Sequence, residues 1–181
     1  VVDVLSGRVQ GLVFELSVAL GGEVLAGAGM VGSASEGTKR IAAAITSGAA
    51  AERFGRMVAA QGGPPGFVEQ AARYLPQADV VLEVTATDAG YVSAIDGEAL
   101  GLAVVSLGGG RQVETDVIDP AAGLSDIVAL GCRIAPGDVL ARVHAARLEQ
   151  AEVTADRIRA AIRLSAGAPE LAPLICDRIM R

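Results

Sequence analysis

The sequence predicts an α+β fold in which a helical N-terminal piece precedes a mixed module of helices and strands. In the first third of the chain, apolar residues recur at spacings of three and four, the period of a helix with one buried face. After Pro76 the period falls to two, which indicates strands. The Gly- and Pro-rich run 62–66 lies just before this change and breaks the chain. We therefore predict two parts, 1–76 and 77–181.

Length, composition and charge limit the kinds of partner that the chain can bind. The chain has 181 residues, of which 51% are hydrophobic and only 3% are aromatic. A chain of this length buries about 70% of its unfolded surface on folding. The formal net charge is −6 and Lys39 is the only lysine, so clustered cations for nucleic acid or an anionic membrane are missing. No apolar run reaches the roughly 18 residues of a membrane span. We expect a cytoplasmic protein with neither partner.

The cysteines and the first residues carry further expectations. Cys132 and Cys176 lack the spacing of a disulfide framework or a metal site, so we predict two buried apolar residues in a reducing compartment. Residues 1–7 are typical of the end of a helix that stops at Gly7, with no N-cap before it. Natural proteins seldom begin on an uncapped apolar run, and we therefore expect the chain to be part of a longer protein.

Four further helices are predicted in the first part. Ser33 and Glu36 have the S-x-x-E spacing of a capping box and start the second of them, which Gly48 ends. The first carries an apolar face that we expect to be partly exposed unless another chain covers it. Gly21 and Gly22 are expected to weaken the middle of this helix. The apolar face consists of Leu12, Leu16 and Leu20. The four helices are expected at 12–26, from Ser33 to Gly48, at 49–61 and at 67–74.

The second part is predicted to alternate between strands and helices. Asp96 is a suitable N-cap for a helix that the glycines 108–110 end. Pro136 and Gly137 have the residue types of a turn. A long helix is expected at 148–165. Strands are expected at 80–84, 91–95, 126–130 and 139–143, with an edge strand at 173–179.

The run from Gly108 to Arg111 is the first candidate for chemistry, because glycine loops can bind phosphate. It lies at the predicted C-terminal end of a helix, where free carbonyls point outward, whereas phosphate prefers the N-terminal end. It also lacks the spacing of known phosphate loops. We therefore interpret it as a flexible helix terminus.

The remaining polar candidates also favour structural roles. His144 is the only histidine, and the sequence supplies no partner that would make it a general base. Asp116, Asp119 and Asp126 do not match a calcium-loop spacing and are predicted to serve turns and caps. The segment 130–141 resembles strands of the barrel-sandwich modules of biotinyl and lipoyl carriers. However, the only lysine lies far upstream in a helical segment, which argues against a carrier.

Several long blocks of the chain resemble bacterial thymidine phosphorylases. They occur in the order found in that family and cover essentially the whole chain, closely from about residue 49 and more loosely before it. Long blocks in the right order are much more specific than a short motif. The blocks are 50–63 (AAERFGRMVAAQGG), 99–111 (ALGLAVVSLGGGR), 116–123 (DVIDPAAG), 137–145 (GDVLARVHA) and 161–164 (AIRL).

The resemblance implies a fold and a reaction. Residues 1–76 would be the last helices of an incomplete catalytic α/β domain, and 77–181 a hammerhead-like, barrel-sandwich-related α+β module. The full-length protein would be a homodimeric pentosyltransferase that converts thymidine and phosphate to thymine and 2-deoxyribose 1-phosphate. Phosphate is a co-substrate, and no cofactor is expected. Alternatives are a pyrimidine-nucleoside phosphorylase that also uses uridine, and a non-enzymatic binding or scaffold module.

The resemblance assigns no functional residue to this chain. The family binds phosphate through a Lys-x-Ser-Thr-Gly-Gly loop with further serines and threonines, and holds the base with an Arg, Ser and Lys set. None of these matches a position here, and the single lysine cannot fill two such roles. We therefore predict no catalytic, substrate-binding, cofactor-binding or metal residues among the 181, and an inactive chain.

Overall fold

The structure, a computed structural model, describes residues 1–179 and contains two compact units. One unit comprises residues 1–74 together with the described residues from Ala172 onward, and the other comprises Leu75–Leu171. Helices dominate the first unit, whereas the second combines helices and strands, which confirms the α+β class. The assignment of the two predicted parts, 1–76 and 77–181, to two family domains stays a prediction.

The first unit holds the predicted helices, with one shortened. Residues 67–70 form turns rather than helix, because their backbone bonds close back onto the Pro- and Gly-rich run, as in the 3.2 Å bond from Phe67 N–H to the Pro64 carbonyl. Ser33 caps its helix as predicted: its Oγ accepts from the Glu36 N–H at 3.2 Å, and the Glu36 carboxylate accepts from Gly32 N–H at 3.0 Å. The helices are α1 (Val2–Leu5), α2 (Leu12–Gly27), α3 (Ala34–Thr46), α4 (Ala49–Ala60) and α5 (Ala71–Tyr74).

The glycines in the middle of α2 form the contact between α2 and α3. A Cβ atom added at Gly22 would lie 2.7 Å from the Ala34 carbonyl oxygen, and one added at Gly37 would lie 2.5 Å from the Gly22 oxygen. α2 runs through Gly21 and Gly22 unbroken, as expected for a helix at 12–26, and the weakening of its middle stays a prediction. The missing side chains let the two helix backbones approach closely.

The opposite face of α2 is exposed within this chain, as predicted. Leu12 and Leu20 are more than half exposed, and Leu16 is also exposed. A contiguous apolar face of this kind is typical of a surface that contacts another polypeptide. Among residues 1–179, no helix has the length and apolar content needed to cross a bilayer.

The second unit contains six strands and two helices. The helix capped by Asp96 continues into a π-helical turn at Val105–Gly109, and the Asp96 carboxylate accepts from the Ala99 N–H at 3.0 Å, as predicted. Gly137, with a φ of +92°, occupies the predicted turn before the fifth strand. The elements are β1 (Val80–Thr85), β2 (Gly90–Ile95), α6 (Gly97–Val104), β3 (Gly123–Ser125), β4 (Arg133–Ile134), β5 (Val139–Ala145), α7 (Leu148–Ala161) and β6 (Ile162–Ser165).

The strands form two three-stranded antiparallel sheets. The first has the order β1-β5-β3 and the second the order β4-β2-β6. Val80 pairs with Ala145 in the first sheet, and Val92 pairs with Leu164 in the second. The consecutive strands β1 and β2 thus lie in different sheets, although only four residues separate them.

The core of the second unit lies between α7, α6 and the two sheets. Val84, Val92, Val143 and Ile158 are its largest fully buried side chains. Several alanines surround them and permit close packing of α7 on the strands, in keeping with the small apolar residues of the composition. The buried alanines in this core are Ala86, Ala141, Ala145, Ala151, Ala155 and Ala161.

Three predictions about secondary structure in the C-terminal half were wrong. The strand expected at 126–130 lies at Gly123–Ser125, because Asp126 adopts a φ of +51°, which ends extended structure. The helix expected at 148–165 ends at Ala161, where residues 162–165 pair with β2 instead. The described residues of the expected edge strand 173–179 form no strand, and Arg178 there forms an ion pair with Glu23 of α2.

Candidate functional site

The glycine run Gly108–Arg111 ends a helix, as predicted. Gly108 has a φ of +95° within the π-helical turn that follows α6. Its carbonyl oxygen accepts a hydrogen bond from the Asp119 N–H at 2.9 Å. The run therefore presents the carbonyl-rich end of a helix, which carries a partial negative charge and disfavours phosphate.

Two of the three candidate aspartates organise the segment that follows this run. The Asp116 carboxylate accepts hydrogen bonds from the backbone N–H groups of Gln112 at 2.9 Å and Val113 at 3.0 Å. Asp119 accepts from the Ala121 N–H at 2.9 Å. The predicted turn roles are confirmed for both residues. The bond from Val113, and then that from Gln112, lowers the pKa of Asp116 below its ordinary value of 3.8.

The lowered pKa predicts an acid-sensitive turn at Asp116. A carboxylate with a depressed folded pKa stabilises the folded state above its unfolded pKa, and this contribution is lost as the pH falls through the folded value. We expect a carboxyl titration by NMR to place the Asp116 midpoint below 3.8, and Asp116→Asn to remove that transition. A midpoint at or above 3.8 would contradict the two hydrogen bonds.

The third aspartate and the histidine belong to one polar cluster on the outer face of the first sheet. His144 Nε2 lies 2.8 Å from Ser125 Oγ, and Ser125 Oγ lies 3.3 Å from Asp126 Oδ2. Arg142 donates to Asp126 at 2.5 Å and to Glu83 at 3.0 Å. The predicted turn or cap role of Asp126 is therefore incomplete, because its carboxylate forms an ion pair. We name these five residues the sheet-face cluster.

Sequence reasoning singled out His144 and Asp126 but missed the other members of the sheet-face cluster. A signal was available, since Arg142 and His144 lie two residues apart in a predicted strand and so share a face. The register that places Glu83 and Ser125 opposite Arg142 was not available, because it depends on the strand order. The hydrogen bonds that Arg142 donates to Glu83 and then to Asp126 raise the pKa of Arg142 above its ordinary value.

The sheet-face cluster resembles a Ser–His pair but lacks the rest of a nucleophilic site. Within residues 1–179, no side chain forms a hydrogen bond with the other ring nitrogen of His144. A general base needs such an orienting partner, and an acyl-transfer site also needs donors for an oxyanion. The predicted structural role of His144 therefore remains the better interpretation.

Two shallow cavities lie beside the second sheet. One, of about 600 Å³, is lined by residues that include Tyr91, Arg133 and Asp138. The other, of about 420 Å³, is lined by residues that include Asp88 and Arg159. Arg159 donates hydrogen bonds to the Thr85 carbonyl at 3.1 Å and to the Asp156 carboxylate at 2.8 Å. Each cavity therefore offers isolated charges of both signs rather than several groups that converge on one ligand.

The remaining candidates have no shared site. Cys132 and Cys176 are free and exposed, so the prediction that both are buried was wrong. Lys39 is exposed on α3 rather than on a hairpin, which agrees with the argument against a carrier. Within the part of the chain that the structure describes, no three His, Cys, Asp or Glu side chains are grouped to hold a metal ion.

Comparison with known proteins identifies the class of the second unit. Residues 91–165 match the family described as the pyrimidine nucleoside phosphorylase C-terminal domain. This match covers β2 to β6, with both helices of the unit, and so includes the glycine run and most of the sheet-face cluster. The unit therefore carries a domain of the pyrimidine nucleoside phosphorylase type.

Similarity to individual proteins extends over nearly the whole chain. A thymidine phosphorylase of Agrobacterium fabrum is 41% identical over 157 residues, which cover 87% of this chain and 36% of the relative. A thymidine phosphorylase of Mesorhizobium japonicum is 39% identical over 180 residues, which cover 99% of this chain and 41% of the relative. The chain is thus similar to a portion of these thymidine phosphorylases, and it spans about two fifths of the length of these curated relatives.

Proposed function

We propose that this chain is part of a thymidine phosphorylase that converts thymidine and phosphate to thymine and 2-deoxyribose 1-phosphate. The observation that carries the proposal is 39% identity to a thymidine phosphorylase over 99% of the chain. The family match at 91–165 supports the same class of enzyme. The reaction transfers a pentosyl group from a base to phosphate and requires no cofactor in this proposal.

The groups that perform this chemistry would lie outside the 181 residues. Phosphate attacks the anomeric carbon while the base leaves as an anion, so the site needs cations and hydrogen-bond donors around phosphate and the pyrimidine oxygens. The Lys-x-Ser-Thr-Gly-Gly loop of the resembling family has no counterpart, since Lys39 is followed by Arg40, Ile41 and Ala42. In this proposal the chain contributes a folded module to the enzyme and is inactive alone.

The proposal is tested by a phosphate-dependent assay of thymine release. The purified 181-residue chain is expected to give no turnover above the blank, whereas the full-length protein turns over under the same conditions. Thymine release is followed by the ultraviolet difference between nucleoside and free base. Turnover by the chain that needs phosphate and survives a check for contaminants would overturn the placement of the catalytic groups. An inactive full-length protein would overturn the proposed reaction.

A broader substrate range is the second candidate, because the matched family is described by pyrimidine nucleosides rather than thymidine alone. The same assay with uridine distinguishes the two: comparable kcat/KM for both nucleosides would indicate a pyrimidine-nucleoside phosphorylase. The third hypothesis is a non-enzymatic binding or scaffold module, and phosphate-dependent turnover by the full-length protein would exclude it.

We also propose that the full-length protein is a cytoplasmic homodimer that binds neither nucleic acid nor membranes. The net charge of −6 and the single lysine support the last two points. Light scattering of the full-length protein tests the dimer, and fractionation of cells that produce it tests the compartment.

A further inference from the structure

β3 is a short strand at the edge of the first sheet, and both the segment before it and the residue after it are unusual. β3 has three residues and pairs only with β5, through Gly123 with His144, Leu124 with Val143 and Ser125 with Arg142. Before it lie residues 110–122, which form no helix or strand. A connection of this length without secondary structure is usually functional or mobile. After it, Asp126 adopts a φ of +51°, which is uncommon for a residue with a side chain.

Backbone hydrogen bonds alone hold β3 only weakly on the sheet. A strand that pairs through three residues at the edge of a sheet opens at low free energy. Leu124 is partly buried against the core on the inner face. On the outer face, Ser125 bonds to His144 and Asp126 bonds to Arg142. Just beyond the strand, the Val128 N–H donates to the Leu140 carbonyl of β5 at 2.8 Å. Arg142 is itself tied to Glu83 on β1, so its guanidinium bridges all three strands of the sheet.

We infer that Arg142 is the centre of a side-chain clamp that holds β3, and with it the adjoining end of the segment 110–122, on β5. Within this segment, the Asp119 N–H donates to the Gly108 carbonyl at 2.9 Å, which closes a loop over residues 109–118. The end next to β3 is held by the pairing of β3, by the packing of Ala122 and Leu124 on the core, and by the clamp. The clamp therefore holds the β3 end of a segment that carries two exposed apolar residues, Val113 and Val117, which are 58% and 91% exposed.

The inference does not depend on the proposed enzymatic activity, since it concerns only contacts within the second unit. Arg142 acts here as a positioning residue through Asp126 and Glu83. Ion pairs at exposed sites are individually weak. Two such ion pairs on one guanidinium affect the opening of β3 because this strand pairs through only three residues.

Hydrogen exchange measured by mass spectrometry on the full chain tests the clamp. In Arg142→Gln we expect amides of 110–128 to exchange roughly three- to tenfold faster, since each exposed pair is worth up to about a fivefold change. Peptides from β1 and α7 are expected to keep their rates. The matched control is Arg56→Gln, which breaks the exposed ion pair with Glu52 on α4 and is expected to leave 110–128 unchanged.

A second variant distinguishes a local effect on β3 from a general loss of folding. Asp126→Asn removes the ion pair but retains a residue type that tolerates a positive φ, and we expect a smaller, local increase of roughly two- to fivefold. In the wild type, raising the salt concentration should speed exchange in the same peptides, and it should do so much less in Arg142→Gln. Unchanged exchange at 110–128 in both variants would overturn the inference. So would an equal increase across β1, α7 and 110–128, because the effect would then be global.

Discussion

Replacement of Ile158 by alanine is expected to lower the free energy of unfolding of the second unit by about 2–5 kcal/mol. Ile158 lies on α7 and is fully buried among the side chains between that helix and the two sheets. The substitution removes three carbon atoms from a close-packed site, and α7 cannot move into the cavity because it contacts β1, β5 and α6 at once. A loss of this size is a large fraction of the stability of a small domain.

Val153→Ala is the matched control for Ile158→Ala. Val153 lies on the same helix but is 56% exposed, so its truncation is expected to change stability by no more than about 0.5 kcal/mol. Urea titration with peptide-resolved hydrogen exchange measures the second unit separately from the first. Equal losses in the two variants would mean that α7 packs with a different face than the structure shows.

Replacement of Gly37 by alanine is expected to destabilise the first unit by about 1–3 kcal/mol. The added methyl group would lie 2.5 Å from the Gly22 oxygen and 2.9 Å from the Gly22 Cα. Both atoms belong to the backbone of α2, so the overlap is relieved only if the two helices move apart. Alanine favours a helix over glycine by about 1 kcal/mol, and that gain offsets only part of the loss.

Gly27→Ala separates the packing effect from the helix preference. Gly27 is also in α2, but an added Cβ atom would meet no atom within 4 Å. This variant is therefore expected to be neutral or more stable by up to about 1 kcal/mol. Thermal unfolding by circular dichroism, with exchange in peptides of 15–45, measures both variants. If Gly37→Ala were as stable as Gly27→Ala, the close approach of α2 and α3 would be wrong.

The sequence was informative where a local rule decides the structure. Ser33 and Asp96 cap their helices because a short polar side chain before an apolar run has one favourable partner, the free N–H groups of the first turn. Gly48 and Gly137 lie at positive φ, where glycine alone has no steric penalty. The family resemblance was equally direct, because it depends on long blocks rather than on folding.

The sequence was less informative where a partner that is distant in the sequence determines the local structure. Residues 162–165 continue a helical pattern, yet they form a strand because β2 offers an unpaired edge. Gly21 and Gly22 are unfavourable for a helix by local preference, and their packing partners on α3, Ile41 and Gly37, are remote in sequence. The sheet-face cluster was hidden for the same reason, since Glu83 and Arg142 are 59 residues apart.

The order of the two sheets has a consequence for synthesis on the ribosome. β1 is complete at Thr85, but its partner β5 ends at Ala145. β2 can first pair with the two-residue β4 at Arg133–Ile134, and then with β6, which ends at Ser165. At a synthesis rate of about 5–20 residues per second, β1 remains without a partner for roughly 3–12 s. During this time a six-residue segment with four apolar side chains is free to pair with another nascent chain. In the native topology, β1 therefore stays unpaired until most of the second unit has been synthesised.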